Sequence, residues 1–207
     1  MTSSHPRLPG LLLGGEELRD TEQRWEVTDR KLVYDTPFIG LSVDEVVGPD
    51  GASFSRAVVQ HHGAVGILVL DEDDRVLVLD QYRHPVGRRL IELPAGILDI
   101  EGEPAIDAAK RELREEADLE ATTWRSLLRM YASPGCSTEH WEVFLAEGPT
   151  PTPHALREPR TAEEADMRQL WVPLADLVDA ALDGRLGDSM TVSAVLAVHA
   201  LRGRDQA

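Results

Sequence analysis

Hydrophobic and polar positions alternate through "WEVTDRKLVYDTPFIGLSVDEVV" at residues 25–47, where β-branched side chains recur. Alternation with period two marks strands with one buried face, so antiparallel strands are expected here. "GPDG" at 48–51 is a tight turn and nothing more, leading into a further strand in "SFSRAVVQHHG". Two denser apolar runs follow, "AVGILVL" and "RVLVLDQY", on either side of the polar "DEDD". Runs rich in Val, Ile and Leu without alternation suit strands buried on both faces, and the spacing predicts a central hairpin.

Beyond "LIELPAGILDIEG" the period changes to that of a helix, with Pro104 in its first turn and its end near Ala117. "RSLLRMYAS", "HWEVFLAEG" and "RQLWVPL" read as three more strands, and the Pro-, Thr- and Glu-rich segment 149–167 as a long loop. Loops of that length are functional or disordered. Two helices close the chain, "LADLVDAALDG" and "DSMTVSAVLAVHALRG", the second capped by Asp188. Strands with helices between and after them predict an α+β fold built on a mixed sheet. The expected organisation is an amino-terminal strand region, 1–57, whose first ~20 residues lack periodicity, followed by one principal domain, 58–207.

A formal charge of −16 excludes phosphate polymers and anionic membranes as partners, since no local cluster of Lys and Arg offsets it. No apolar run approaches the roughly 18 residues that cross a bilayer, and "LPGLLLGG" is too short for export, so a cytoplasmic location is expected. Cys136 is the single cysteine and forms no internal disulfide, in keeping with a reducing compartment. The acidity leaves carboxylates for divalent cations, through which a small anionic substrate could bind.

Those carboxylates concentrate in "AAKRELREEADLEA" at 108–121. At about 100° per residue Glu112, Glu115 and Glu116 share one helix face, beside an apolar stripe of Ile106, Ala109, Leu113 and Ala117, while Asp107, Lys110 and Arg114 face solvent. A solvated acidic face is the plain alternative. Against it, like charges at i and i+4 cost roughly 0.2–0.5 kcal/mol, and more beside a buried stripe. A hard cation such as Mg²⁺ would remove that cost. His61, His62, His84 and His140 match no zinc spacing and are expected to be structural.

Read outward, the stretch is Gly96, six residues, Glu103, seven residues, then Arg111-Glu112-Leu113-Arg114-Glu115-Glu116-Ala117-Asp118-Leu119. This resembles the Nudix box, G-x5-E-x7-R-E-U-x-E-E-x-G-U, with one extra residue before Glu103 and Asp118 in place of a helix-ending glycine. The resemblance implies a Nudix-type α/β/α sandwich with a mixed sheet, preceded by amino-terminal antiparallel strands. It implies that Glu112, Glu115 and Glu116 bind Mg²⁺, with Mn²⁺ as an alternative, that Arg111 orients them, and that Glu103 braces the loop.

"QYRHPVGRRLIELPAGILD", "SPGCSTE" and "EEADM" are similar to the ADP-ribose pyrophosphatase branch, and the likeness runs from about Trp25 to His199. By that likeness the Ala95 carbonyl, supplied by the loop "LPAG", completes the metal site. Arg56 and Arg83 meet substrate phosphates or the adenine end, where a guanidinium forks onto phosphate oxygens, although either could be a surface ion pair. Glu92 accepts ribose hydroxyls or pairs with Arg88 or Arg89, and Ser133, Pro134 and Gly135 wrap the terminal ribose. Trp25 and Phe38 stack on adenine or pack within the fold. The resemblance points to Glu164 as general base, with Glu163 and Glu115 next, on a loop whose closure would exclude water. The implied reaction is Mg²⁺-dependent hydrolysis of ADP-ribose to AMP and ribose 5-phosphate by a homodimer. The alternatives are another nucleoside diphosphate sugar, or a sensor of the same fold without turnover.

Overall fold

The computed structural model describes residues 3–156 and 166–205. In chain order its elements are β1 Ser3–Ser4, β2 Leu11–Leu12, β3 Val27–Asp35, β4 Ile39–Val47, β5 Ser53–His61, β6 Ala64–Leu70, β7 Arg75–Arg83, β8 Arg88–Glu92 and β9 Ala95–Ile97. There follow α1 Ala105–Ala117, β10 Leu119–Tyr131, β11 His140–Pro151, β12 Arg168–Pro173, α2 Leu174–Leu182 and α3 Ser189–Asp205. The chain forms two compact units, one of the residues up to Arg30 with Asp44–Arg56, the other of Lys31–Val43 with Ala57 onward.

In the smaller unit β1 and β2 pair antiparallel. "GPDG" is the expected turn: the Gly51 amide donates to the Gly48 carbonyl at 3.0 Å, and Gly51 takes the φ of +80° that glycine tolerates. Trp25 meets Phe54 edge to face at 6.1 Å, and the Arg56 guanidinium lies 4.5 Å above the Phe54 ring. β3, β4 and β5 are hydrogen-bonded in that order, with residues 27–30, 44–47 and 53–56 counted in this unit and the rest in the larger one, and every residue of β3 is exposed.

The larger unit is organised by a mixed sheet in the order β10-β11-β6-β7-β12, with β8 on β7 and β9 on β6. β11 runs parallel to β6, and the other pairings are antiparallel. All seven residues of β6 are buried, which is why its sequence shows no alternation. Successive residues pack into opposite layers. Val65, Ile67, Val69 and Leu77 meet α1 through Ala109 and Leu113, whereas Leu68, Leu70, Val76 and Val78 meet α2 and α3 through Leu177, Val178 and Val195. Helices on both faces of a mixed sheet satisfy its two apolar surfaces, and this is the expected α+β sandwich.

The β6–β7 hairpin is pinned by the pair Leu70↔Val76 at its root. Above it β6 takes Ala95–Ile97 as neighbour and β7 takes Arg88–Glu92. This corrects the reading of "LPAG" as a loop: Ala95, Gly96 and Ile97 form β9, opposite Gly66, Val65 and Ala64. Pro94, which has no amide to donate, falls between the two inserted strands, and its carbonyl accepts from the Ile67 amide at 2.8 Å.

Candidate active site

The helix carrying the acidic run starts one residue later than its pattern suggested. Pro104 stands outside it as N-cap, with φ −62° and ψ 140°, and Ala105 is the first helical residue. At the other end Asp118 adopts φ 53° and ψ 35°, the left-handed geometry that the box assigns to glycine, and its amide donates to the Arg114 carbonyl at 3.1 Å. Asp is among the few residues that accept this conformation, so the departure at Asp118 leaves the helix end intact.

The buried face of α1 is wider than the expected stripe. Ala108 is fully buried along with Ala109 and Leu113, and it lies on the far side of Glu112 and Glu116. The acidic face is therefore set within the buried face rather than beside it. Glu116 is only 7% exposed, whereas Glu115 keeps 37% of its side chain in solvent. Arg111 stabilises this cluster. Its guanidinium donates to Glu103 at 3.3 and 3.1 Å, to Glu112 at 2.6 Å and to Glu115 at 3.1 Å. The hydrogen bonds that Glu103 accepts and the charges of Glu112 and Glu115 raise the Arg111 pKa above its ordinary value. Glu103 thus braces the cluster through Arg111.

Glu116 turns to the sheet, where Oε2 accepts from the Ala95 amide at 2.8 Å. Glu112 packs on Gly96, and a Cβ at that position would overlap its carboxyl carbon and Cγ. Glycine is needed here for close approach.

Ala95, Gly96, Glu112, Glu115 and Glu116 line a cavity of about 840 Å³, as do Arg83 and Glu92. Arg83 and Glu92 form a bidentate pair at 3.0 and 2.7 Å, so Glu92 pairs with Arg83 and not with Arg88 or Arg89. Alternation turns Arg89 to the opposite face of β8 from Glu92, whereas Arg83 lies on the face of Glu92, four residues along β7 from its partner Leu79. The hydrogen bonds that Glu92 accepts raise the Arg83 pKa, with the charges of Glu116 and Asp188 adding to the effect. Arg89 instead holds the buried Asp80 at 2.8 Å and also pairs with Asp166. Burial pushes the Asp80 carboxyl up, but hydrogen bonds from Arg89 and Arg168 outweigh it and hold the pKa below its usual value.

The remaining candidates lie elsewhere. Ser133, Pro134 and Gly135 form a turn in which the Ser133 carbonyl accepts the Cys136 and Ser137 amides, and they are not among the residues lining the cavity. Arg56 belongs to the smaller unit. Glu163 and Glu164 lie outside the described residues. Phe38 lines the cavity, and so do several residues that sequence reasoning missed: His61, Gln81, Glu139, Trp141 and Asp188. The period of two along β7, which places Gln81 on the face of Arg83, was the available signal for Gln81. Glu139 and Trp141 are brought in by the parallel β11–β6 pairing, which no local pattern announces.

Among the described residues the cavity wall carries seven carboxylates (Glu92, Asp99, Glu112, Glu115, Glu116, Glu139 and Asp188) against two guanidinium groups. Among them no three His, Cys, Asp or Glu side chains already converge on one point as metal ligands. The donor set nevertheless fits a hard divalent cation, because it is made of carboxylate and carbonyl oxygens.

The acid-bearing helix packed on β9, beneath a wall of carboxylates, defines the class of protein. The NUDIX domain model matches residues 60–191, and the chain belongs to the Nudix family. It is similar to the ADP-ribose pyrophosphatase of Mycobacterium tuberculosis, with 40% identity over 180 residues covering 87% of this chain and 86% of that protein. The ADP-ribose pyrophosphatase of Bacillus subtilis is 30% identical over 167 residues, covering 80% and 88%. A crystal structure of an ADP compounds hydrolase superposes with a TM-score of 0.73 over 91% of this chain and 100% of that one, at 18% identity, and speaks for the fold.

Proposed function

We propose that the chain is a divalent-cation-dependent pyrophosphohydrolase that splits ADP-ribose into AMP and ribose 5-phosphate. The observation that carries this reading is the meeting of Glu112, Glu115, Glu116 and Ala95 with the Arg83–Glu92 pair in one cavity, in a chain 40% identical to an ADP-ribose pyrophosphatase. Seven carboxylates repel a diphosphate unless a cation intervenes. Glu112, Glu115, Glu116 and the Ala95 carbonyl would hold Mg²⁺, or Mn²⁺ in its place. Such an ion neutralises charge on the diphosphate and acidifies a bound water.

The chain's own groups do the rest. Arg111 holds Glu112 and Glu115 in place by charged hydrogen bonds. Glu92 engages Nε and Nη2 of Arg83, which leaves Nη1 for a phosphate or ribose oxygen. Arg56 assists at the phosphates or adenine, and Ser133, Pro134 and Gly135 at the terminal ribose. Glu164 takes the proton from water, with Glu163 and Glu115 as the next candidates.

We assign dimerisation and substrate contact to the amino-terminal strand region, 1–57, and the chemistry to 58–207. The exposed Leu32, Val33 and Tyr34 on β3 support a homodimer, which sedimentation equilibrium would measure. We place the protein in the cytoplasm; among the described residues no helix is long and apolar enough to cross a membrane. The deciding experiment follows product release from a panel of nucleoside diphosphate sugars, with Mg²⁺ and then with EDTA. ADP-ribose should yield AMP and ribose 5-phosphate with Mg²⁺ alone. Faster turnover of another sugar would reassign the substrate, and binding without turnover would make the chain a sensor.

A further inference from the structure

Thr191 is fully buried at the third position of α3. Its amide donates to Asp188 Oδ2 at 2.8 Å, and this bond alone caps the helix. The hydroxyl is not needed for that task. It lies 2.6 Å from the same Oδ2 and 3.0 Å from the Leu93 amide nitrogen. A carboxylate only accepts, so the hydroxyl proton goes to Asp188 and a lone pair remains for the Leu93 N–H.

Leu93 is the first of three consecutive residues tied to three different elements. The Pro94 carbonyl accepts from Ile67 on β6 at 2.8 Å, and the Ala95 amide donates to Glu116 on α1 at 2.8 Å. Thr191 adds the tie from α3. Asp188 itself lines the cavity.

We propose that Thr191 is a positioning residue for the hydrolysis assigned above: its hydroxyl, held by Asp188, fixes Leu93–Pro94–Ala95 and thereby the Ala95 carbonyl and the Glu116 carboxylate at the cavity wall. The inference rests on that hydrolase reading.

The test compares Thr191→Val, which keeps the shape and the cap but deletes the hydroxyl, with Thr191→Ser, which restores it. For Thr191→Val, kcat should fall about tenfold or more and half-saturating Mg²⁺ should rise severalfold, with KM for ADP-ribose little changed. Thr191→Ser should return both to within about twofold of wild type. A readout without substrate or metal is deuterium exchange in residues 93–97, which should quicken in the valine variant while the middle of α1 is unchanged. Wild-type kcat and Mg²⁺ dependence in Thr191→Val, or failure of serine to rescue, would reduce Thr191 to a structural residue and overturn the proposal. If the valine protein does not fold, Thr191→Ala is read in the same way. Absence of Mg²⁺-dependent AMP release in the wild type would instead defeat the hydrolase reading, and this inference with it.

Discussion

Replacing Gly96 by alanine tests the site with one methyl group. Gly96 lies in β9 opposite Val65, and its φ is not among the positive values that restrict other residues, so the backbone accepts alanine. The new Cβ would overlap the end of Glu112, and because the overlapping atoms are side chain rather than backbone, it is this side chain that must shift. Moving it breaks the 2.6 Å bond from Arg111. A hydrogen bond to a charged group contributes about 1.5–3 kcal/mol. Expressed fully in kcat/KM, at 1.4 kcal/mol per decade, this predicts a loss of roughly 10- to 150-fold. Folding should suffer less, because alanine narrows the unfolded ensemble by about 0.4–1 kcal/mol. The Tm should therefore fall by roughly 1–10 °C. Mg²⁺-dependent AMP release and calorimetry on the same preparation give both values. A kcat/KM within about threefold of wild type at unchanged Tm would refute the argument, since Glu112 would then work equally well from another position.

Glu112→Gln and Glu116→Gln should each abolish Mg²⁺-dependent AMP release with the circular-dichroism spectrum intact; undiminished turnover would defeat the metal assignment. Glu164→Gln should lower kcat at least about 100-fold with metal affinity little changed, and a drop below about threefold would move the base to Glu163 or Glu115. Asp80 has its folded pKa depressed, so its stabilisation is present above the unfolded value of about 3.9 and is lost as pH falls through the lower folded one. Asp80→Asn should accordingly lower the Tm at neutral pH, with the gap to wild type closing as melts move below about pH 4; a gap independent of pH would exclude the linkage.

The elements with a local cause were legible from residues alone. Periodicity placed α1, β6 and β7, and the Asp188 cap on α3 follows from a single side chain. What escaped depends on pairings distant in sequence. Three residues around a glycine carry no period, so β9 reads as loop from its own residues and becomes a strand only through its neighbour β6. Proximity in sequence favours Arg88 and Arg89 as partners of Glu92, whereas the ion pair forms across the β7–β8 pairing, with Arg83. Ala108 falls outside the stripe that the apolar pattern marks, because a helical wheel does not say how much of its circumference the sheet covers. Thr191 offered no signal at all, since its partner Leu93 lies 98 residues away.

The parallel pairing of β6 with β11 also has a bearing on synthesis. Ala64 finds Trp141 as its partner on β11, 77 residues later (141 − 64), so one edge of a seven-residue apolar strand leaves the ribosome well before its β11 neighbour exists. At about 5–20 residues per second that wait is roughly 4–15 s, during which "AVGILVL" has no charge and no proline to discourage pairing with another chain. The acidic "DEDD" directly after it is then the nascent chain's nearest safeguard, a gatekeeper whose neutralisation should appear first as poor yield and inclusion bodies rather than as a defect in the folded enzyme.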